Sequence, residues 1–519
     1  MGTNIKRKMT SLRVTRILKI ARQHVWAIIG AVVSGALVII SNLSGVGWSW
    51  DSTDYVEVGR NIAMGKGDLD VIGRPMTVRP PGFSALIALG DWCGLSPDSA
   101  ILLINILSAV IVTSCSYILL RRATRSTFST AVGTLFIAFA PALLWQYSMA
   151  WSEPPFLAIE MLALTVALFG KNRWKHLLLC GLLAALFFMR YVGPVFSAAI
   201  ILTSVVTDTK TLRLFRAIAI NAAVLIVSLV PAYLWLARNH RIDGTFTGTR
   251  QAGGGTFVHA LATIPATVGM WIVGRPYDSV VYESWSSYPM VARLAAVLVG
   301  LGAACLAIVF GFRVARGNDR PTSTELAVAI GATGVLVFYS VFSAYRFVHW
   351  ELGLLDSRMM IPLYAPIVIL LVIVFDSGLR NMRVARTATA VLVVVLLVFH
   401  ASVSLKDAWR FGKDGRHMAS RSLIDTALNR FLKTLPGDSG YVSNKPIELY
   451  SVLRAGPIFG VYNMDDKRPS PCARRFVVWY KAFVIQDNKP DTLAVIYDDE
   501  IGTVFDAGTC DTDINEIWP

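Results

Sequence analysis

Residues 48–82 read WSWDSTDYVEVGRNIAMGKGDLDVIGRPMTVRPPG. The stretch follows the first apolar run of the chain. It holds two acids, Asp51 and Asp54, and then a short amphipathic run with Tyr55, Val58 and Ile62 on one face and Glu57, Arg60 and Asn61 on the other. It closes with Arg79-Pro80-Pro81-Gly82, just before the next apolar residues. A loop rich in acids, arginine and aromatics between two membrane spans reads as a site that meets the membrane surface. Asp51 has a second reading, as N-cap of a helix over 52–65 with Asp54 near N3, favoured by the helix dipole. The two readings coexist, since a capping carboxylate keeps one oxygen for other work.

Outward from this loop the chain is mostly apolar. It has 519 residues, 54% hydrophobic and 16% charged, against about 25% charged in soluble domains. Repeated apolar runs of roughly 20 residues define a polytopic helical membrane protein. About eleven spans are expected, near 25–43, 99–120, 127–146, 154–170, two within 176–206, then 216–236, 291–311, 325–345, 359–375 and 388–404. The run 176–206 is divided because Arg190-Tyr191-Val192-Gly193-Pro194 interrupts it; Arg, Gly and Pro together mark a turn between two short spans. The net charge of +15 sits in short basic clusters at alternate connections. That is a topology signal, and it argues against nucleic acid as a partner.

Residues 1–24 form a basic arm expected in the cytoplasm, followed by an uncleaved anchor rather than a signal peptide. The membrane domain is expected over 25–404, with outer loops 44–98, 237–290 and 346–358. Residues 405–519 change composition and read as a small extracytoplasmic α/β domain. It has an amphipathic helix over 422–435 and strands at Gly440–Ser443, Phe476–Tyr480 and Thr492–Tyr497. In an oxidising compartment Cys472 and Cys510 are a disulfide candidate. The expected location is the plasma membrane.

Other loops expected on the outer face carry further chemistry. Trp151-Ser152-Glu153-Pro154-Pro155 reads as a Ser-capped helix start, and it also places Glu153 on the same face as Asp51. Arg79, Arg190 and Arg358 lie at or near membrane depth, where a guanidinium pairs with an acid or lines a wet cavity. Facing outward, such groups suit a phosphate headgroup; pairing of Arg190 with Glu153 is the structural alternative. His349, Glu351 and Asp356 match no closed metal spacing, so no metal ligands are assigned and a divalent metal is the one cofactor left open. No nucleotide-binding glycine motif stands between a strand and a helix.

These motifs resemble the GT-C superfamily of polyprenyl-phosphate-dependent glycosyltransferases, in the branch of the bacterial protein mannosyltransferases and the lipid A aminoarabinose transferase. The resemblance rests on W-D-S-T-D-Y and R-P-P-G-F in the first loop and on S-E-P-P-F at Ser152. M-R-Y-V-G at Met189, R-N-x-x-x-x-G-T-F-T-G-T-R from Arg238 and D-S-R-M-M-I-P-L-Y-A-P from Asp356 complete it. It implies a lipid-linked sugar donor and inverting transfer to a glycan, lipid or protein acceptor at the outer face. Asp51 would be the base with Asp54 as fallback, and Glu153 would orient the acceptor. Arg79, Arg190, Tyr191 and Arg358 would hold the donor phosphate. Met359 stands where the family prefers Tyr, and Tyr191 where it often has Pro. A transporter or lipid-linked sugar flippase is the alternative from another class, and a non-catalytic assembly or sensor subunit is a third.

Overall fold

The computed structural model describes residues 24–71, 73–170, 172–249, 256, 257, 267–271, 290, 298, 323–349, 357–378, 383–436, 439–453, 458–460, 474–481 and 493–508. The span expected at 291–311, Cys472, Cys510, Glu351 and Asp356 lie outside these residues. So does nearly all of the basic arm.

The architecture is mostly helical with a small C-terminal sheet. In chain order the first helices are α1 (Val25–Ser41), α2 (Trp50–Ala63), α3 (Gly82–Trp92), α4 (Pro97–Ala123), α5 (Thr127–Ala138) and α6 (Pro141–Tyr147). Then come α7 (Glu153–Phe169), α8 (Asn172–Met189), α9 (Gly193–Asp208), α10 (Leu214–Asp243), α11 (Ser323–His349), α12 (Ser357–Met360), α13 (Tyr364–Gly378) and α14 (Arg383–Asp414). Ten of the eleven expected spans thus fall on helices among the described residues. The span expected at 127–146 is bent by 43° between α5 and α6, because Pro141 at the first position of α6 cannot continue the hydrogen-bond ladder of α5. The division at 190–193 is present, with α8 and α9 folded back on each other. Broad apolar faces on α10 (Phe215, Val227, Tyr233) and α14 (Val391, Val395, Val398) are exposed, as expected of surfaces solvated by lipid.

At the end of the bundle away from the first loop, Lys175 is buried rather than a free basic flank. Its ammonium is 2.7 Å from Asp208 Oδ1, while Asp208 Oδ2 accepts from Asn221 at 2.8 Å and lies 3.0 Å from His176 Nε2. This knot ties α8, α9 and α10 together and satisfies a charge that would otherwise be costly in the bundle.

The C-terminal part carries α15 (Arg421–Ile424), α16 (Ala427–Leu432) and α17 (Pro446–Leu453). The single helix expected over 422–435 is therefore two short ones, because Thr426 caps a new start by accepting from the Asn429 amide at 3.2 Å. The strands are β1 (Gly440–Ser443), β2 (Ile458–Gly460), β3 (Arg475–Tyr480), β4 (Ala494–Asp498) and β5 (Gly502–Asp506), in the order β2-β1-β3-β5-β4. Pairing is parallel for β2-β1-β3 and antiparallel for β3-β5-β4. The core of the sheet is Val442, Val477, Trp479 and Phe505.

Three loops meet at the end of the bundle nearest this sheet. Gly47 exchanges backbone hydrogen bonds with Ser148 and Ala150, each 2.9 Å long, and the Met418 amide donates to Trp48 at 3.2 Å. A side chain at Gly47 would strike Met149, Arg416 and the Ser148 carbonyl, so the close approach requires glycine. These bridges bring the starts of α2 and α7, and with them Asp51 and Glu153, to one place.

Candidate active site

Helix α2 begins two residues earlier than expected. Ser49, not Asp51, is its N-cap, and the Ser49 amide donates to Ser52 Oγ at 2.9 Å. That reciprocal cap relieves Asp51 of capping, and both its oxygens serve other partners. On the buried side of α2 lie Tyr55, Val56 and Val58; Asn61, expected outside, is also buried and donates to the Leu69 carbonyl at 2.9 Å. The Pro-Pro-Gly turn then sets Arg79. A Cβ at Gly82 would meet the Phe188 backbone, so glycine lets α3 start directly against the end of α8, two residues before Arg190.

The result is a chain of alternating charges. Arg79 pairs with Asp54 and, at 2.5 Å, with Asp51 Oδ1. Asp51 Oδ2 is 2.5 Å from Arg358 Nη2. Arg358 Nε donates at 2.6 Å to Glu153 Oε1, which also pairs with Arg190. The structure therefore joins Asp51, Asp54, Glu153, Arg79, Arg190 and Arg358 in one network, drawn from the first loop, the start of α7, the α8–α9 break and α12. Glu153 is 1% exposed, while the other five side chains are about one-fifth exposed.

A cavity of about 320 Å³ opens on this network, with Asp51, Arg79, Arg190, Tyr191, Arg346 and Arg358 among its walls. Met189, Val192, Phe342 and Met359 supply an apolar side. Glu153 does not line it; its carboxylate lies behind Arg190 and Arg358, and Oε2 has no hydrogen-bond partner among the described residues. This placement does not fit a direct hold on an acceptor. Tyr191 presents its ring to the cavity, but its hydroxyl donates to the Thr77 carbonyl at 2.7 Å and accepts from Asn239 at 3.0 Å and Trp235 at 3.2 Å. It fixes the strand of chain before Arg79 rather than offering a donor to a ligand. Arg346 and Tyr339 also face the cavity. Neither is marked in the sequence: Tyr339 lies inside the long apolar helix α11, where an aromatic reads as core, and Arg346 falls in its last turn, where a cation looks like an ordinary flank. Among the described residues no three potential metal ligands gather.

The two acids of α2 differ in electrostatics. Burial disfavours charge on Asp51, but the guanidinium groups of Arg358 and Arg79 outweigh it and hold the carboxyl well below the usual range. For Asp54 burial prevails over Arg79, and the Asp51 charge adds to it, so the carboxyl is pushed up to about 6. A raised value means that Asp54 favours the folded state most when protonated, and that this contribution is lost as pH rises through about 6. Asp54→Asn, neutral at every pH, is therefore expected to match or exceed the wild-type melting temperature at pH 7.5. The difference should shrink as pH falls below 6. Thermal unfolding in detergent at several pH values checks this; a variant melting well below wild type at pH 7.5 would show that the Arg79 pair outweighs burial.

The fold is shared with solved structures. ArnT from Cupriavidus metallidurans bound to undecaprenyl phosphate superposes with a TM-score of 0.59 at 16% identity, over 93% of this chain and 98% of that one. The same protein in the apo state gives 0.59 at 13% identity, over 96% and 99%. No family model matches the sequence, and no curated protein does. The likeness is thus one of fold, and it extends over nearly the whole of both chains.

Proposed function

We propose that the chain is an integral membrane glycosyltransferase that moves a sugar from a polyprenyl-phosphate donor to an extracytoplasmic hydroxyl, with inversion. The observation that carries this reading is the set of arginines lining one cavity, with Asp51 held between Arg79 and Arg358. A phosphate headgroup entering the cavity takes N–H donors of Arg79, Arg190 and Arg358. The acceptor oxygen then bonds to the anomeric carbon as the bond from that carbon to the phosphate oxygen breaks. The leaving phosphate keeps the electron pair, and the fixed guanidinium groups stabilise its charge. The acceptor proton passes to Asp51, and Glu153 acts by holding Arg190 and Arg358.

Two findings support the donor class. The ArnT neighbour is described with undecaprenyl phosphate bound. A second cavity of about 190 Å³ is almost wholly apolar, with Val132, Phe136, Ile367, Val368 and Leu371 in its walls. It reaches Trp271, whose indole donates at 2.7 Å to Ser357, the neighbour of Arg358. A prenyl chain suits such a groove.

One observation favours transport instead. Glu160, two turns along α7 from Glu153, is fully buried in a membrane span, and neither carboxylate oxygen has a hydrogen-bond partner among the described residues. Buried intramembrane acids often mark ion or proton pathways. The test is to incubate the purified protein with radiolabelled polyprenyl-phosphate sugars and a membrane extract as acceptor source. One donor should be consumed, with release of polyprenyl phosphate. If none is consumed while proteoliposomes exchange labelled lipid-linked sugar across the bilayer, the transport reading replaces this one.

A further inference from the structure

We infer that Trp151 is a positioning residue for the proposed transfer: its indole is the platform that fixes the plane of the Arg358 guanidinium and ties it to the helix bearing Asp51. This rests on the transferase reading above. Trp151 is 3% exposed. Its ring lies 4.1 Å from the Arg358 guanidinium carbon, and its Nε1–H donates at 2.7 Å to Ser49 Oγ. Ser49 is the N-cap of α2, two residues before Asp51, and Trp151 itself is two residues before Glu153. One side chain thus touches the guanidinium that joins Asp51 to Glu153 and the cap of the helix that carries Asp51.

The platform is itself supported. Trp145 packs edge-on against Trp151, with ring centres 5.6 Å apart at 71°. The Arg416 guanidinium lies 4.9 Å from Trp145 and 4.0 Å from Phe411, and donates at 2.8 Å to Ser148 Oγ. A continuous stack of rings and guanidinium groups therefore runs from Phe411 and Arg416 through Trp145 and Trp151 to Arg358. An aromatic face attracts a guanidinium and favours parallel stacking. With Nε committed to Glu153 and Nη2 to Asp51, rotation of the Arg358 plane is the freedom that remains for aiming its other N–H groups. The indole removes that freedom, so these groups meet a phosphate without prior ordering.

The experiment compares wild type, Trp151→Phe and Trp151→Leu, each alone and combined with Arg358→Lys, in donor turnover and in calorimetric binding of undecaprenyl phosphate. Trp151→Leu should lose about tenfold in kcat/KM for the donor, the scale of one cation–π contact. Trp151→Phe, which keeps a ring face, should recover most of it. In the Arg358→Lys background Trp151→Leu should cost little more, because its effect passes through Arg358. Losses that simply multiply, or a Leu variant equal to wild type in active protein, overturn the proposal while leaving the transferase reading intact. A wild type that neither turns over a donor nor binds the lipid phosphate removes both.

Discussion

Asp51→Asn should lower kcat by about 10²–10⁴-fold, the usual worth of a positioned general base, while the donor KM stays level or falls. The direction of KM follows from the ion pairs. Asp51 neutralises Arg79 and Arg358 in the unliganded site, so a donor phosphate competes with it for both guanidinium groups. The amide competes less. A merely structural Asp51 would give the opposite pattern, with KM raised and kcat kept. The pH dependence separates Asp51 from its neighbour. The two guanidinium groups hold Asp51 well below the usual carboxyl range, so kcat/KM, which reports the free enzyme, should show no loss from this group between pH 7 and about 5. Half-loss near pH 6 that disappears in Asp54→Asn would instead name Asp54, whose carboxyl titrates at about 6, as the base. Stability changes too. A depressed carboxyl contributes stability at neutral pH that is lost as pH falls below about 4, so the kinetic comparison is made on protein shown to be folded. An Asp51→Asn enzyme turning over at the wild-type rate would remove Asp51 from the chemistry.

Charges in an apolar chain are conspicuous, and this is why so much of the site was legible. Arg190 stands in the middle of a 31-residue apolar run, and Asp51 and Asp54 follow directly on the first span; burial in a membrane protein leaves such groups few roles. What sequence could not show is which acid holds which arginine. The Arg190–Glu153 pair, weighed as the structural alternative, is present, yet Glu153 shares one oxygen between Arg190 and Arg358. That depends on how α12 is laid against α7, some two hundred residues away. Trp151 was visible only as part of a capped helix start, because nothing local marks an aromatic as a guanidinium platform. The slip at α2 has a local cause: Ser49 and Asp51 are both good caps, and the choice fell to Ser52, which completes the box from Ser49. In the tail, β2 and β5 escaped notice, since Ile458–Gly460 is three residues long and Gly502–Asp506 opens on glycine and closes on aspartate, both poor strand formers.

The second large effect concerns Glu153, and here folding and function part. Glu153→Gln should destabilise the protein by about 3–5 kcal/mol, the cost of leaving a buried charge without its partner, and should also abolish turnover. The glutamate is 1% exposed and is the common anion of Arg190 and Arg358. Glutamine can accept one of their hydrogen bonds but cannot balance either charge. Arg358 would keep Asp51, whereas among the described residues Arg190 would be left with the Met359 sulfur at 3.9 Å as its other polar contact. Arg190 should therefore bear most of the loss. Glu153→Gln with Arg190→Met tests that assignment: removing the stranded guanidinium should restore part of the melting temperature. It should not restore transfer, because the cavity then lacks one of the arginines meant for the phosphate. Thermal unfolding and donor turnover on the same preparations read the two effects apart. If the double variant is no more stable than Glu153→Gln, the charge that suffers is Arg358. If it transfers sugar at the wild-type rate, Arg190 holds α7 to α9 and takes no part in binding the donor.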